Sequence, residues 1–157
     1  SYSQVKSFDE LKKINSPDQF RRVAIENNYK KNNTMINDGD TSIYLSYGVN
    51  LKLGDRGYNV SPNWAEYFIS DTPFEYAKKD EWNFQYADLQ IRRNEGIYHF
   101  DRIVEQIKDE CSFFDILENY DGEEYVTYSC PGSSYKGKIG YTTKDGDGFI
   151  AHFLRYD

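Results

Sequence analysis

Any chemistry in this chain has to start from two histidines, His99 and His152, and two cysteines, Cys111 and Cys130. A thiol or hydroxyl nucleophile needs an imidazole beside it to take its proton. No spacing in the sequence brings either histidine to Cys111, Cys130 or a serine. His99 falls at the start of a helical pattern and His152 inside a strand pattern, so each reads as an ordinary capping or sheet histidine. The chain has no Gly-x-Ser-x-Gly elbow, no Walker loop and no Gly-x-Gly-x-x-Gly turn. It also lacks a Cys-x-x-Cys pair, so neither a zinc ribbon nor a redox motif is indicated. The two cysteines are expected to be buried thiols acting as small hydrophobes. A single disulfide is the alternative, provided the helix carrying Cys111 packs on the strand carrying Cys130.

Carboxylates are plentiful, but their spacing is wrong for catalysis. Asp9/Glu10, Asp80/Glu81, Asp109/Glu110 and Glu123/Glu124 are adjacent pairs, whereas glycosidase chemistry needs two carboxyl groups facing each other across a cleft. Asp145-Gly146-Asp147-Gly148 resembles the start of a calcium loop, yet Phe149 and Tyr156 stand where its later ligands belong. That segment, with its Asp-Gly dipeptide, reads as a hairpin turn. Asn37-Asp38-Gly39-Asp40 reads as the turn that starts the next strand. The expectation is a protein with no catalytic residues, no metal and no cofactor. Tyr58, Trp64, Tyr67 and Trp82 are the candidates for an alternative ligand site, a stacking platform for a glycan or small molecule.

The elements that would position these residues follow from periodicity. Ser7-Phe8-Asp9-Glu10 is a capping box, and Ser16-Pro17-Asp18-Gln19 repeats the signal with Pro at the first helical position. Helices are therefore expected over 8–15 and 17–29, followed by a polar loop from Asn28 to Asn33. Ile43, Leu45, Tyr47, Val49, Leu51 and Leu53 alternate with more polar residues, the period of a half-buried strand. Further strands are expected over 64–70 and 81–91. Phe100, Ile103, Val104, Ile107, Cys111, Phe114 and Leu117 then make one apolar stripe, predicting helix over 98–120, continuous or broken near Ser112. Three strand-like runs close the chain, at 123–130, 136–144 and 148–156. The fold class is α+β: an antiparallel sheet with helices on one face, in the order αα-βββ-α(α)-βββ.

The 157 residues suit one domain, and 15 Tyr and 10 Phe supply ample area for its core. The two halves, 1–92 and 93–157, share a coarse layout. Laying one on the other matches Phe8 to Phe100, Asp9 to Asp101, Glu26 to Glu118 and Asn27 to Asn119, which suggests a weak internal repeat. No apolar run approaches the ~20 residues of a membrane span. The chain opens Ser1-Tyr2-Ser3-Gln4, without a basic or apolar leader. The expectation is a cytoplasmic protein, with a secreted or periplasmic one after leader removal as the alternative.

Charge placement is the informative feature. The net charge of −7 argues against a generic nucleic-acid binder, which needs surplus Lys and Arg for phosphates. Asp101, Glu105, Asp109, Glu110, Asp115, Glu118, Asp121, Glu123 and Glu124 face only Arg102 and Lys108, so this one segment carries the entire net charge. Arg21, Arg22, Lys30 and Lys31 tilt the N-terminal helices basic. Such a dipolar surface steers a partner with a cationic patch. An outward helix face is also charged in any soluble protein, which is the plain alternative. The reading taken forward is a non-enzymatic protein-binding protein, a stoichiometric inhibitor or immunity-type protein of bacterial or phage source. Its expected contact residues are Asp101, Glu105, Asp109, Glu110, Asp115, Glu118, Glu123 and Glu124. The expected target has a basic surface, of the kind a nucleic-acid enzyme presents; the protein itself is expected to bind no nucleic acid. An exported or surface-attached ligand- or glycan-binding module is the second reading.

Overall fold

The computed structural model describes residues 5–36, 43–61, 63–70, 84–118, 122–132, 137–144 and 150–156. Ser7 and Ser16 start the first two helices, α1 (Phe8–Lys12) and α2 (Pro17–Glu26), as their spacing predicts. The Ser7 hydroxyl accepts from the Glu10 amide at 3.3 Å, and the Glu10 carboxylate reaches back to the Lys6 amide at 3.0 Å. The Ser16 hydroxyl accepts from Gln19 at 3.2 Å while the Gln19 side chain accepts from the Asn15 amide at 2.9 Å. At each helix start the amide of the third residue is thereby satisfied, and the side chain of that residue ties down the amide just before the cap. The third helix, α3 (Arg93–Glu110), supplies another cap: Gln106 Oε1 accepts from the Phe8 amide at 2.9 Å, tying α1 to α3.

The described residues include ten strands, in chain order β1 (Lys30–Ile36), β2 (Ile43–Val49), β3 (Lys52–Leu53), β4 (Asn59–Val60), β5 (Asn63–Ser70), β6 (Phe84–Arg92), β7 (Ser112–Glu118), β8 (Glu124–Ser129), β9 (Lys138–Lys144) and β10 (Ile150–Tyr156), with α3 between β6 and β7. Eight form one sheet in the order β1-β2-β5-β6-β10-β9-β8-β7; β3 and β4 make a separate small ribbon. All the pairings are antiparallel. Each half of the chain therefore contributes four contiguous strands, the last strand of each half meets at the centre, and β1 and β7 are the edges.

Register explains why the core lies on one face. Tyr47 stands opposite Ala65, Ala65 opposite Leu89, Leu89 opposite Phe153, Phe153 opposite Tyr141 and Tyr141 opposite Val126. Directly opposed residues share a face. On that face Leu45, Tyr47, Val49, Ala65, Tyr67, Tyr128, Ile139 and Phe153 are buried together with Phe8, Leu11, Phe20 and Val23 of the first two helices and Phe100, Ile103 and Ile107 of α3. The fold is thus α+β, with an antiparallel sheet and its helices on one side. Phe20 packs at 5.3 Å between ring centroids from Tyr67, and Phe100 at 5.3 Å from Phe153, so each half has an aromatic anchor between helix and sheet.

Four expectations are corrected. The polar run after α2 is not a loop: Asn28 adopts a left-handed conformation (φ 65°), and the Tyr29 amide closes on the Ala24 carbonyl at 2.9 Å. One residue accomplishes the reversal, so the edge strand β1 begins at Lys30. The strand expected to run on to Leu53 stops at Val49, where Asn50 turns with φ 49°. At Gly48 an added Cβ would lie 2.6 Å from Leu51 Cδ2 and 3.0 Å from the Ser61 side chain, so the chain folds back closely over this position. The helix expected over 98–120 ends at Glu110, and 112–118 is strand β7. Phe114 and Leu117 continue a helical spacing, but β8 offers a whole ladder of partners, and tertiary pairing overrides the pattern. Lastly, Cys111 and Cys130 are not thiols; they form a disulfide with Cα atoms 4.4 Å apart. The turn at 37–40 and the Asp145–Gly148 hairpin lie outside the described residues, although Lys144 and Ile150 pair across the latter.

Candidate functional site

The buried stripe of α3 fixes where its acids point. Ile103 and Ile107 are fully buried against the sheet, while Asp101, Glu105 and Asp109, spaced one turn apart, are exposed. None of these three has an ion-pair partner among the described residues. Glu110 differs from them. It meets Lys12 Nζ at 2.7 Å, and the same ammonium takes Asp9 at 2.8 Å. The hydrogen bond from Lys12 lowers the Asp9 pKa, and the bonds to Asp9 and Glu110 raise that of Lys12. Glu110 thus clamps α3 to α1 at the surface.

The remaining expected contact residues are on β7 and at the start of β8. Asp115 and Glu118 are exposed on the edge strand, Glu124 is exposed where β8 starts, and Glu123 is half-buried before it. Asp115 is held firmly. Its amide donates to Thr127 Oγ1 at 3.2 Å, Thr127 returns a bond to its carbonyl at 2.6 Å, and the Asp115 carboxylate accepts from the Ile116 amide at 2.7 Å. The helix and the edge strand therefore carry the acids on two separate elements, joined at the disulfide. Asp121 lies outside the described residues.

Sequence periodicity gave no sign of what lies between these acids. The β7 ladder skips Phe114: Phe113 pairs with Tyr128, and Asp115 with Thr127. Without that bulge Phe113 and Ile116, three apart, would point to opposite faces. With it, Phe113 stands opposite Tyr128 and Ile116 opposite Val126, both on the core face. They extend the core outward past the cover of the helices. Phe113 stays 60% exposed and Ile116 54%, although Phe113 meets Tyr128 edge-on at 6.2 Å. The bulged Phe114 lies under Lys138 Nζ at 4.5 Å. The result is a small apolar shelf on an edge strand, with Asp109 and Glu110 before it and Glu118 after it. Edge strands are usually protected from partners by charge or bulges; β7 has both, yet leaves three large apolar side chains, Phe113, Phe114 and Ile116, exposed.

Among the described residues the alternative aromatic platform does not assemble. Tyr67 is 1% exposed and packs on Phe20, so it belongs to the core and is not a ligand contact. Trp64, half-buried, is three residues earlier on β5 and faces the other side of the sheet. Tyr58 is exposed on the β3–β4 turn, and Trp82 lies outside the described residues.

The residues weighed for catalysis are equally dispersed. Both cysteines are consumed by the disulfide, which leaves no thiol for a nucleophile. His152 occupies β10 opposite Gln90 and Thr142. His99 is half-buried on α3; burial first, then Lys6 and Arg102, hold its pKa below the ordinary 6.5. A depressed value means that the folded state binds the proton less readily than the unfolded chain does. Its stabilising contribution is complete above 6.5 and is lost as pH falls from there through the folded value. His99→Gln should accordingly flatten the fall in urea midpoint between about pH 7 and pH 5. A slope identical to that of the unmodified protein would refute this. Among the described residues, no three His, Cys, Asp or Glu side chains converge on a metal site, and no helix is long and apolar enough to cross a membrane.

Comparison with protein families, with curated proteins and with solved structures gives no match to this chain.

Proposed function

We propose that this is a non-enzymatic protein-binding protein, a stoichiometric inhibitor or immunity-type protein whose target presents a basic surface. The observation that carries the reading is the apolar shelf of Phe113 and Ile116 on an acidic edge strand, beside the exposed acids of α3. Protein interfaces draw most of their affinity from a few apolar or aromatic anchors ringed by polar residues. Complementary charge adds speed and selectivity of encounter. Phe113 and Ile116 are suited to the first role. Asp101, Glu105, Asp109, Asp115, Glu118 and Glu124 are suited to the second, with Glu110 and Glu123 at the rim. The disulfide supports an oxidising compartment, where such bonds persist, over the cytoplasmic expectation.

The test is capture of the target from the source cells, its identification, and a comparison of three baits. Phe113→Ser with Ile116→Ser should weaken binding by about tenfold or more, mainly through faster dissociation. Changing Asp101, Glu105 and Asp109 to Lys should slow association and remove most of its salt sensitivity. Retention of full affinity by both variants would refute the surface. The glycan-binding reading loses ground because Tyr67 and Trp64 face opposite sides of the sheet.

A further inference from the structure

The edge opposite the acidic one has the reverse charge and a cleft beside it. A cavity of about 470 Å³ lies where the end of α2 turns into β1, lined by Arg21, Ile25, Asn28, Lys30, Lys31 and Tyr47 among others. That volume falls within the ~300–1,000 Å³ of small-molecule sites. Its charge is unbalanced. On the neighbouring side of α2, Arg22 is neutralised by Glu26 at 2.9 Å. Arg21 has only Asp18 at 3.8 Å, and that carboxylate is 95% exposed, so water screens it. Lys30 and Lys31 are exposed and have no ion pair among the described residues.

The local backbone explains why Arg21 and Lys31 meet here. The left-handed Asn28 reverses the chain within one residue, which brings the start of β1 back alongside the last turns of α2; Lys31, opposite Tyr47, is on the α2 side of the sheet, and Lys30, opposite Gly48, is on the other. Tyr47, paired with Lys31 across β1–β2, receives the Arg21 Nε–H on its hydroxyl at 3.3 Å. That bond orients the guanidinium; its Nη1 faces the water-screened Asp18 at 3.8 Å, beyond hydrogen-bond distance, so the terminal nitrogens can take a stronger acceptor. Ile25, 61% exposed, gives the cleft an apolar wall.

We propose that this cleft binds a phosphoryl dianion, with the phosphate held by Arg21 and Lys31 and an ester's apolar body resting on Ile25. A guanidinium fork matches phosphate oxygens in pairs, and the Lys31 ammonium adds point charge. A dianion balances the two cations, Arg21 and Lys31; a single carboxylate balances one. The site is distinct from the β7 shelf and does not depend on the protein-binding reading.

The experiment is an amide-resolved NMR titration of the full chain at low salt with phenyl phosphate, inorganic phosphate and benzoate. Phenyl phosphate should shift the amides of residues 25–31 and Tyr47 saturably, and Arg21→Gln or Lys31→Gln should each weaken binding by roughly tenfold. Lys31→Gln carries the test if losing the Arg21–Tyr47 bond disturbs the fold. Tighter binding of phenyl phosphate than of inorganic phosphate assigns an ester as ligand; equal binding assigns free phosphate, and both support the site. No saturable shift by about 10 mM, benzoate binding as tightly as phenyl phosphate, or undiminished affinity in both variants overturns it. Phe113→Ser should leave this titration unchanged, so failure here and failure of the protein-binding surface are read separately.

Discussion

Ile107→Ala should destabilise the protein by about 2–5 kcal/mol, the cost of a buried aliphatic truncation that leaves a cavity. Ile107 is fully buried in the last turns of α3, one turn after the equally buried Ile103. The helix lies over β6 and β10, the two central strands, where neighbours on either side keep the sheet from collapsing into the space. Glu105→Ala, two residues away on the outward side, should change stability by no more than about 0.5 kcal/mol, as surface substitutions generally do. Urea denaturation of both variants measures the contrast directly. The contrast matters for function, because the same rotation of α3 that buries Ile103 and Ile107 holds Asp101, Glu105 and Asp109 in water. Comparable losses for the two variants would mean the acids are structural, and the charged face would no longer be available to a partner.

Much of this fold is legible wherever local chemistry and tertiary packing agree. Ser7 and Ser16-Pro17 announce their helices because a cap is a local hydrogen bond. The alternation from Ile43 to Val49 is clear because β2 is an inner strand with one face on the core. The edges are where reading fails. At β1, Lys30, Lys31, Asn32 and Asn33 are polar because an edge strand faces solvent, and polarity alone looks like a loop. At β7, Cys111, Phe114 and Leu117 fall at helical spacing by coincidence. Nothing local marks the stop after Glu110; what ends the helix is pairing with β8 and the bond to Cys130, both set by residues far along the chain.

The candidate surface divides in the same way. The exposed acids of α3 follow from one buried stripe, so sequence places them. The shelf of Phe113 and Ile116 depends on a bulge, and a bulge is invisible to a period-two pattern. The basic corner is visible as composition in Arg21, Lys30 and Lys31, but the cleft between them requires the left-handed turn at Asn28. Tyr67 shows the converse error, since an aromatic residue on a strand looks the same whether it meets a ligand or, as here, Phe20.

Removing the disulfide should cost about 3 kcal/mol, from the entropy of the loop it closes. Cys111 and Cys130 are 19 residues apart, and the loop contains all of β7 and β8. β8 has β9 on its other side, whereas β7 has only β8. Without the bond β7 is held by one ladder interrupted at Phe114, plus the Asp115–Thr127 contacts. A double Cys111→Ser, Cys130→Ser variant should therefore lower the urea midpoint, and the amides of 112–118 should lose exchange protection before those of the central strands. Reductant should shift the unmodified protein the same way, and thiol titration of the unreduced protein should find no free cysteine. The shelf of Phe113 and Ile116 exists only while β7 holds its register, so target binding should weaken on reduction even while the rest of the sheet stays folded. A double variant with unchanged midpoint and unchanged protection over 112–118 would show that the edge strand holds itself, and would detach the proposed binding surface from any redox control.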